Sequence, residues 1–153
     1  MTADALRVLR EDHQRVQGLF REFERVEDRE VKAQIVERAM MGLEVHTRLE
    51  QELLYPALRD AGDAGAIDIA EEEHHVAELL MEELAKVLPS DPRYEVKVKV
   101  LAESVGLHIA REEATLFARD AQLEGERLLG LGEQMATRRE QLLAEVQDRA
   151  SRV

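Results

Sequence analysis

The chain has 153 residues, the length of one ordinary domain, and it contains no cysteine, which excludes disulfides, zinc–thiolate sites and thiol catalysis. Its formal net charge of −12 argues against nucleic acid and against an anionic membrane surface as partners. No apolar run approaches the roughly 20 residues of a membrane span or resembles a signal peptide, so we expect a cytoplasmic protein.

Apolar residues recur with the helical period of 3.6 along most of the sequence, which predicts an all-α protein. The five predicted helices are Ala3–Val26, Val31–Arg59, Ile67–Leu88, Tyr94–Asp120 and Leu128–Arg149. The first four have similar lengths and short connections, which favours an up-down-up-down four-helix bundle over about residues 3–120. The fifth, at about 128–149, is expected to pack along the bundle or against a second copy of the chain. All of these elements are assigned to one domain, 1–153.

A ten-residue pattern occurs twice and carries the main chemical signal. The two copies span His46–Tyr55 and His108–Phe117, and in each a glutamate follows the histidine by four positions. A Leu-aromatic pair then follows the glutamate by four and five positions. A spacing of four places both side chains on one helix face, so each histidine–glutamate pair is a candidate metal clamp.

Histidine and glutamate occupy positions where apolar residues are expected. His13, His46 and His108 lie on the apolar seams of their predicted helices, and Glu50 and Glu112 share two of those seams. A buried, unpaired carboxylate costs several kcal/mol, and no lysine or arginine is well placed on these seams. We therefore predict a metal site; the alternative is that the glutamates and histidines only pair with each other.

The residue types narrow the choice of metal. Imidazole and carboxylate without thiolate suit iron, manganese or zinc. Two carboxylates carry too little negative charge to neutralise a pair of dications. An oxo or hydroxo bridge would supply the remaining negative charge, and such a bridge favours two iron ions. A ferritin-like site needs Glu-x-x-His on two helices, whereas both copies here, Glu71–His74 and Glu72–His75, lie on one helix. The His-Glu-x-x-His motif of zinc proteases is absent.

Short motifs that contain these residues follow each other in a fixed order. They are Asp12-His13, His46-x-x-x-Glu50, Leu54-Tyr55-Pro56, Glu73-His74, His108-x-x-x-Glu112-Glu113 and Leu116-Phe117. The ordered set resembles the hemerythrin-like, or HHE cation-binding, domain over about residues 6–118. The segment Leu131–Arg138 is similar to the extra C-terminal helix of actinobacterial hemerythrin-like proteins.

The resemblance implies a four-helix bundle with a non-haem di-iron centre. Carried over by motif, one iron is bound by His13 and His46, the other by His74 and His108, with Glu50 and Glu112 bridging. The neighbouring residue His75 is the alternative on the third helix, as a surface residue or an outer partner of the site. Apolar residues at 76, 80, 84 and 87 favour His74.

The sequence also departs from the oxygen-carrying hemerythrins, which it otherwise resembles. Those proteins have two histidines one turn apart on the third helix and an aspartate ligand on the fourth, whereas this chain has Glu78 and Glu112 there. Glu78 and Tyr55 are candidates to fill the place of the lost imidazole. On a straight helix Tyr55 faces away from Glu50, so it reaches the site only if Pro56 distorts the turn.

This departure argues against reversible oxygen carriage. We expect a di-iron protein that binds or reacts with small oxidants, namely hydrogen peroxide, O2 or NO. Catalase-like disproportionation of peroxide is the enzymatic version of this hypothesis. The alternative is a module that senses iron or oxygen, or binds O2, without turnover.

Overall fold

The computed structural model of the protein describes residues 4–118 and 123–152. Its helices are α1 (Ala5–Arg25), α2 (Arg29–Leu49), α3 (Tyr55–Asp60), α4 (Ala64–Ala85), α5 (Arg93–Ala114) and α6 (Gly125–Ser151). A π-helical segment, Glu50–Leu54, joins α2 to α3 without a break. Helices α1, α2, α4 and α5 form the bundle, and α6 packs along α1 and α2. The predicted all-α bundle with an additional C-terminal helix is confirmed.

The predicted helix ends agree with the structure to within three residues, except at the end of α5. The fourth helix was expected to continue to Asp120, which lies outside the described residues, as does Ala3. That expectation is wrong because α5 ends at Ala114, where Thr115 leaves helical geometry (φ −113°, ψ −78°). The Arg111 carbonyl accepts hydrogen bonds from both the N–H and the hydroxyl of Thr115, at 3.0 and 2.7 Å, an arrangement that favours a bend in the helix at this point.

Aspartate side chains fix the starts of the first two helices. Asp4 accepts a hydrogen bond from the Arg7 N–H at 2.9 Å, and Asp28 accepts one from the Val31 N–H at 3.1 Å. Among residues 4–118 and 123–152, none of the helices combines the length and the apolar character that crossing a bilayer requires.

Helix α6 uses its apolar face within the chain. Leu128, Leu131, Met135 and Leu142 are buried in the same cluster as residues of α1, α2 and α3. The helix therefore completes one end of the bundle core.

The buried apolar residues form two clusters at opposite ends of the bundle. One contains Leu9, Leu49 and the residues of α6, and the other contains Phe20, Leu84 and Leu101. The predicted histidines and glutamates lie along the helices between the two clusters. The fold therefore sandwiches a polar layer between two apolar ones.

Candidate metal centre

All six predicted ligands come together in this polar layer. They are His13 on α1, His46 on α2, Glu50 at the start of the π-helical segment, His74 on α4, and His108 and Glu112 on α5. Every one of them is buried, and the two glutamates are only 0% and 2% exposed.

The four imidazoles form two pairs whose Nε2 atoms point at each other. His13 Nε2 lies 3.1 Å from His46 Nε2, and His74 Nε2 lies 3.2 Å from His108 Nε2. One pair joins α1 to α2 and the other joins α4 to α5. Each half of the sequence repeat therefore contributes one histidine pair.

Each carboxylate is shared between the two histidine pairs. Glu50 Oε1 lies 3.2 Å from His46 Nε2 and 3.0 Å from His74 Nε2. Glu112 reaches the other histidine of each pair, with both distances 3.3 Å. The ligand atoms make two groups of four, each with two histidines and both glutamates, and the atoms of a group lie within 4.8 Å of one another.

Three of the four carboxylate oxygens lack a hydrogen bond. Both oxygens of Glu50 and Oε1 of Glu112 are buried and accept none in the described parts of the chain. No lysine or arginine of residues 4–118 and 123–152 forms an ion pair with either glutamate. Since buried acceptors are nearly always satisfied, these orphaned oxygens and four convergent imidazoles are the donor set that a metal ion fits.

The electrostatics of the layer favour positive charge at its centre. Burial opposes protonation of His46, but Glu50 and Asp12 outweigh it and raise the pKa of that imidazole to about 10. Burial likewise opposes ionisation of Glu50, but the charge on His46 holds the pKa of the carboxyl well below its usual range. Burial is outweighed at His108 too, where Glu112 raises the pKa to about 9. Either bound protons or metal ions would neutralise the negative charge of these buried carboxylates.

Acidic residues orient one histidine of each pair from outside. Asp12 Oδ2 accepts a hydrogen bond from His46 Nδ1 at 3.0 Å, and Glu73 Oε1 accepts one from His108 Nδ1 at 3.1 Å. A carboxylate on Nδ1–H fixes the tautomer that leaves the Nε2 lone pair for a metal.

The other two histidines have partners that directly follow the shared glutamates. Glu113 Oε1 accepts a hydrogen bond from His13 Nδ1 at 3.1 Å, and the Gln51 amide lies 3.1 Å from His74 Nδ1. All four imidazoles thus turn Nε2 to the centre and Nδ1 to an outer polar group. Sequence reasoning assigned these outer residues no role, although each is adjacent to a predicted ligand; each contacts a histidine from another helix.

The π-helical segment brings Tyr55 into the centre. Its turn is closed by a bond from the Tyr55 N–H to the Glu50 carbonyl, which adds one residue to the turn. Pro56 favours this bulge because it lacks an N–H and its ring clashes with the carbonyl four residues earlier. The Tyr55 hydroxyl lies 3.2 Å from His74 Nε2 and donates a hydrogen bond to Glu112.

The Leu-aromatic pair of each repeat supplies a ring that stacks on a histidine. The Tyr55 ring stacks on His74 with 5.5 Å between centroids, and Phe117 stacks on His13 at 5.4 Å. The hydroxyl of Tyr55 is therefore the chemical difference between the two stacked rings. Burial first, and then the charges of the two glutamates, raise the pKa of Tyr55 above its ordinary value.

The two remaining candidates on the third bundle helix lie away from this centre. His75 and Glu78 are both exposed, whereas His74 is buried between Tyr55 and His108. Of the two groups proposed to replace the lost imidazole, the structure brings Tyr55 to the site and leaves Glu78 at the surface.

A narrow cavity leads to the four histidines. Its volume is about 70 Å³, room for a few water-sized molecules. Its apolar wall consists of Val16, Leu19, Ala39, Leu43, Ala77, Val105 and Ile109. The exposed Gly42 also lines it, as do Arg15, Arg38 and Arg139. The volume of the cavity therefore limits it to small molecules.

Comparisons with known proteins identify the family of this chain. The family model of the Hemerythrin HHE cation binding domain matches residues 4–119. A crystal structure of a Hemerythrin HHE cation binding domain-containing protein from Mycobacterium kansasii is similar at a TM-score of 0.84 and 27% identity, over 94% of this chain and 89% of that one. A DNA nickase from Nostoc sp. is 32% identical over 111 residues, which are 72% of this chain but only 32% of that protein. The family match covers most of the chain and all six clustered residues, and the protein therefore belongs to the hemerythrin HHE cation-binding family.

Proposed function

We propose that the protein is a non-haem di-iron protein that binds or reacts with small oxidants, namely hydrogen peroxide, O2 or NO, and that it disproportionates peroxide. The observation that carries this proposal is the pair of buried glutamates, each shared by two histidines and together holding three orphaned oxygens. Iron ions joined by an oxo or hydroxo bridge would supply the two-electron redox chemistry that peroxide disproportionation needs.

The residues of the chain have separate tasks in this proposal. His13 and His46 would hold one ion, His74 and His108 the other, and the shared glutamates would fix their spacing. The outer carboxylates keep the imidazoles of His13, His46 and His108 in the tautomer that leaves Nε2 free for a metal. The small volume and the apolar part of the cavity wall would limit access to small molecules.

The test is to load the purified protein with iron, determine the iron content and the absorption spectrum, and then add hydrogen peroxide. Oxygen evolution above that of the same amount of free iron supports the enzymatic proposal. Bound iron without such evolution would refute turnover, and failure to bind iron would refute the di-iron centre itself.

The hydroxyl of Tyr55 gives a spectroscopic prediction. Replacing Tyr55 with phenylalanine should change the visible absorption of the iron-loaded protein, because the variant removes the hydroxyl group nearest His74 and Glu112. The matched control is Tyr94→Phe, which alters the only other tyrosine, a buried residue of the apolar cluster at the far end. Equal spectra for the Tyr55 variant and the wild type would contradict a role for this hydroxyl at the metal.

The mouth of the cavity gives a kinetic prediction. Gly42 lines the cavity, and a Cβ atom built there meets no atom within 4 Å, so a side chain can begin at this position without a clash at its first carbon. Gly42→Leu should slow NO binding and peroxide consumption several-fold while iron content stays unchanged. Gly106→Leu is the control, since Gly106 has equal space around it and does not line the cavity. Unchanged rates in the Gly42 variant would mean that ligands enter by another route.

A second candidate function is a sensor without turnover. It is favoured by the buried carboxylates, since ligand charges that a metal neutralises make the stability of the bundle depend on metal occupancy. A large change in melting temperature or oligomeric state on iron binding, with peroxide left unconsumed, would select this function over the enzymatic one.

The remaining expectations stay part of the proposal: a single domain over 1–153, a cytoplasmic location, and neither nucleic acid nor membrane as partner. The activity named for the Nostoc relative is not carried over, because two thirds of that protein has no counterpart here and a net charge of −12 repels DNA. A homo-oligomer through α6 would have to use its outer face, where Leu129 is exposed, because the inner face is buried in the chain.

A further inference from the structure

One outer partner of the centre depends on a helix that lies beyond the family match. Asp12 Oδ2 accepts hydrogen bonds from His46 Nδ1 at 3.0 Å and from the Arg139 guanidinium of α6 at 2.8 Å. The same oxygen thus holds a predicted ligand on one side and the C-terminal helix on the other. Arg139 lies after residue 119, where the family match ends.

Glu73, the equivalent outer partner in the other half, does not depend on α6. Glu73 accepts a hydrogen bond from His108 Nδ1, and its other oxygen pairs with Arg111 at 2.6 Å. Arg111 belongs to α5, the helix that also carries His108. The outer carboxylate of this half is therefore oriented entirely by bundle helices.

Asp12 has few other constraints. Its second oxygen pairs with Arg15 at 3.0 Å, but the Arg15 side chain is 64% exposed, and a pair this exposed to water restrains a carboxylate only weakly. Arg139 is 26% exposed, and its helix is held by buried apolar residues on either side, among them Met135 and Leu142. The firmer restraint on Asp12 therefore comes from α6.

We propose that Arg139 is a positioning residue for His46: by orienting Asp12 it couples the C-terminal helix to the metal affinity of the half-site that contains His13 and His46. This inference rests on the proposed di-iron centre. It makes α6 a part of the metal site as well as a cover for the core, and it makes the two iron sites unequal.

The test compares two adjacent arginines of α6. Arg138 is 25% exposed and also ties α6 to the bundle, by pairing with Glu52 at 2.8 Å. In the described parts of the chain its hydrogen bonds and ion pairs go to Glu52, Gln141 and Glu145, none of which is a predicted ligand or bonds to a histidine of the centre. We expect Arg139→Gln to lower the affinity for one of the two iron ions by about tenfold. This is the lower end of the usual loss of affinity when an outer hydrogen-bond partner is removed. Arg138→Gln should leave both unchanged. Affinities would be measured by anaerobic Fe(II) titration against a competing chelator, with melting temperatures recorded for each variant.

A double variant separates positioning from general stability. If Arg139 acts through Asp12, then Arg139→Gln should cause no additional loss of iron affinity in a protein that already carries Asp12→Asn. Should Arg139→Gln fail to fold, Arg139→Lys keeps the charge without the planar fork and should show a smaller loss at the same iron.

The outcomes are distinct from those of the functional proposal. One contrary result is that the wild type binds two irons and the Arg138 and Arg139 variants bind them with the same affinities as each other. Another is that Arg139→Gln causes a further loss of iron affinity in the Asp12→Asn protein. Either result would overturn the positioning role of Arg139 and leave the di-iron centre intact. A wild-type protein that binds no iron would overturn both.

Discussion

Replacing Glu50 with glutamine should abolish binding of both iron ions. The Glu50 carboxylate lies within 3.2 Å of a histidine from each pair, so the change removes an anionic ligand from both halves at once. Loss of an outer hydrogen-bond partner costs about 10–100-fold in metal affinity, and loss of a shared ligand should exceed that range. Iron content after loading and desalting is the direct measurement.

Glu78→Gln is the matched control for this prediction. It causes the same change in net charge, but Glu78 is exposed on α4 and belongs to neither group of clustered residues. The iron content of the Glu78 variant should equal that of the wild type. If the Glu50 variant also keeps both irons, the glutamates would be structural, paired only with their histidines.

Iron loading should raise the melting temperature of the protein considerably. Ligands at a free concentration of about 1,000 times Kd stabilise a protein by about 4 kcal/mol per site. In a chain of this size each kcal/mol corresponds to roughly 2–4 °C, so we expect a shift on the order of 10 °C or more. The physical reason is that the clustered ligands come from α1, α2, α4 and α5, and a metal pair would tie these helices together while neutralising their buried charges.

Two neighbouring histidines on α4 distinguish this effect from nonspecific metal binding. His74 is buried in the centre and His75 is exposed. His75→Asn should keep the iron-dependent shift in melting temperature, measured by circular dichroism with and without chelator, and His74→Asn should lose most of it. Equal shifts in both variants would place the stabilising metal elsewhere on the protein.

Local patterns were sufficient to predict much of this protein. The period of 3.6 predicted the helices, because one face of each must be buried against its neighbours. The His-x-x-x-Glu spacing predicted which side chains share a face, because residues four apart lie one above the other on a helix. Carboxylates on an apolar seam then required a cation, and the structure brings all six candidate residues together.

Other features arise only from contacts between distant parts of the chain. Asp12 precedes His13 in the sequence but bonds to His46, and Arg139 reaches Asp12 across 127 positions, so adjacency does not reveal either partner. Whether α6 packs on its own bundle or on a second copy is likewise a matter of which apolar surface it meets.

Tyr55 lies between these two cases. The sequence indicated that Tyr55 could reach the site only if Pro56 distorted the helix. It did not indicate which distortion occurs, because a proline can end, kink or widen a helix. The tertiary structure selects the π-helical turn, in which the Tyr55 ring stacks on His74 and its hydroxyl bonds to Glu112. Spacing along one helix is thus determined by the sequence itself. The groups that meet across helices are decided by packing, because their geometry depends on every helix at once.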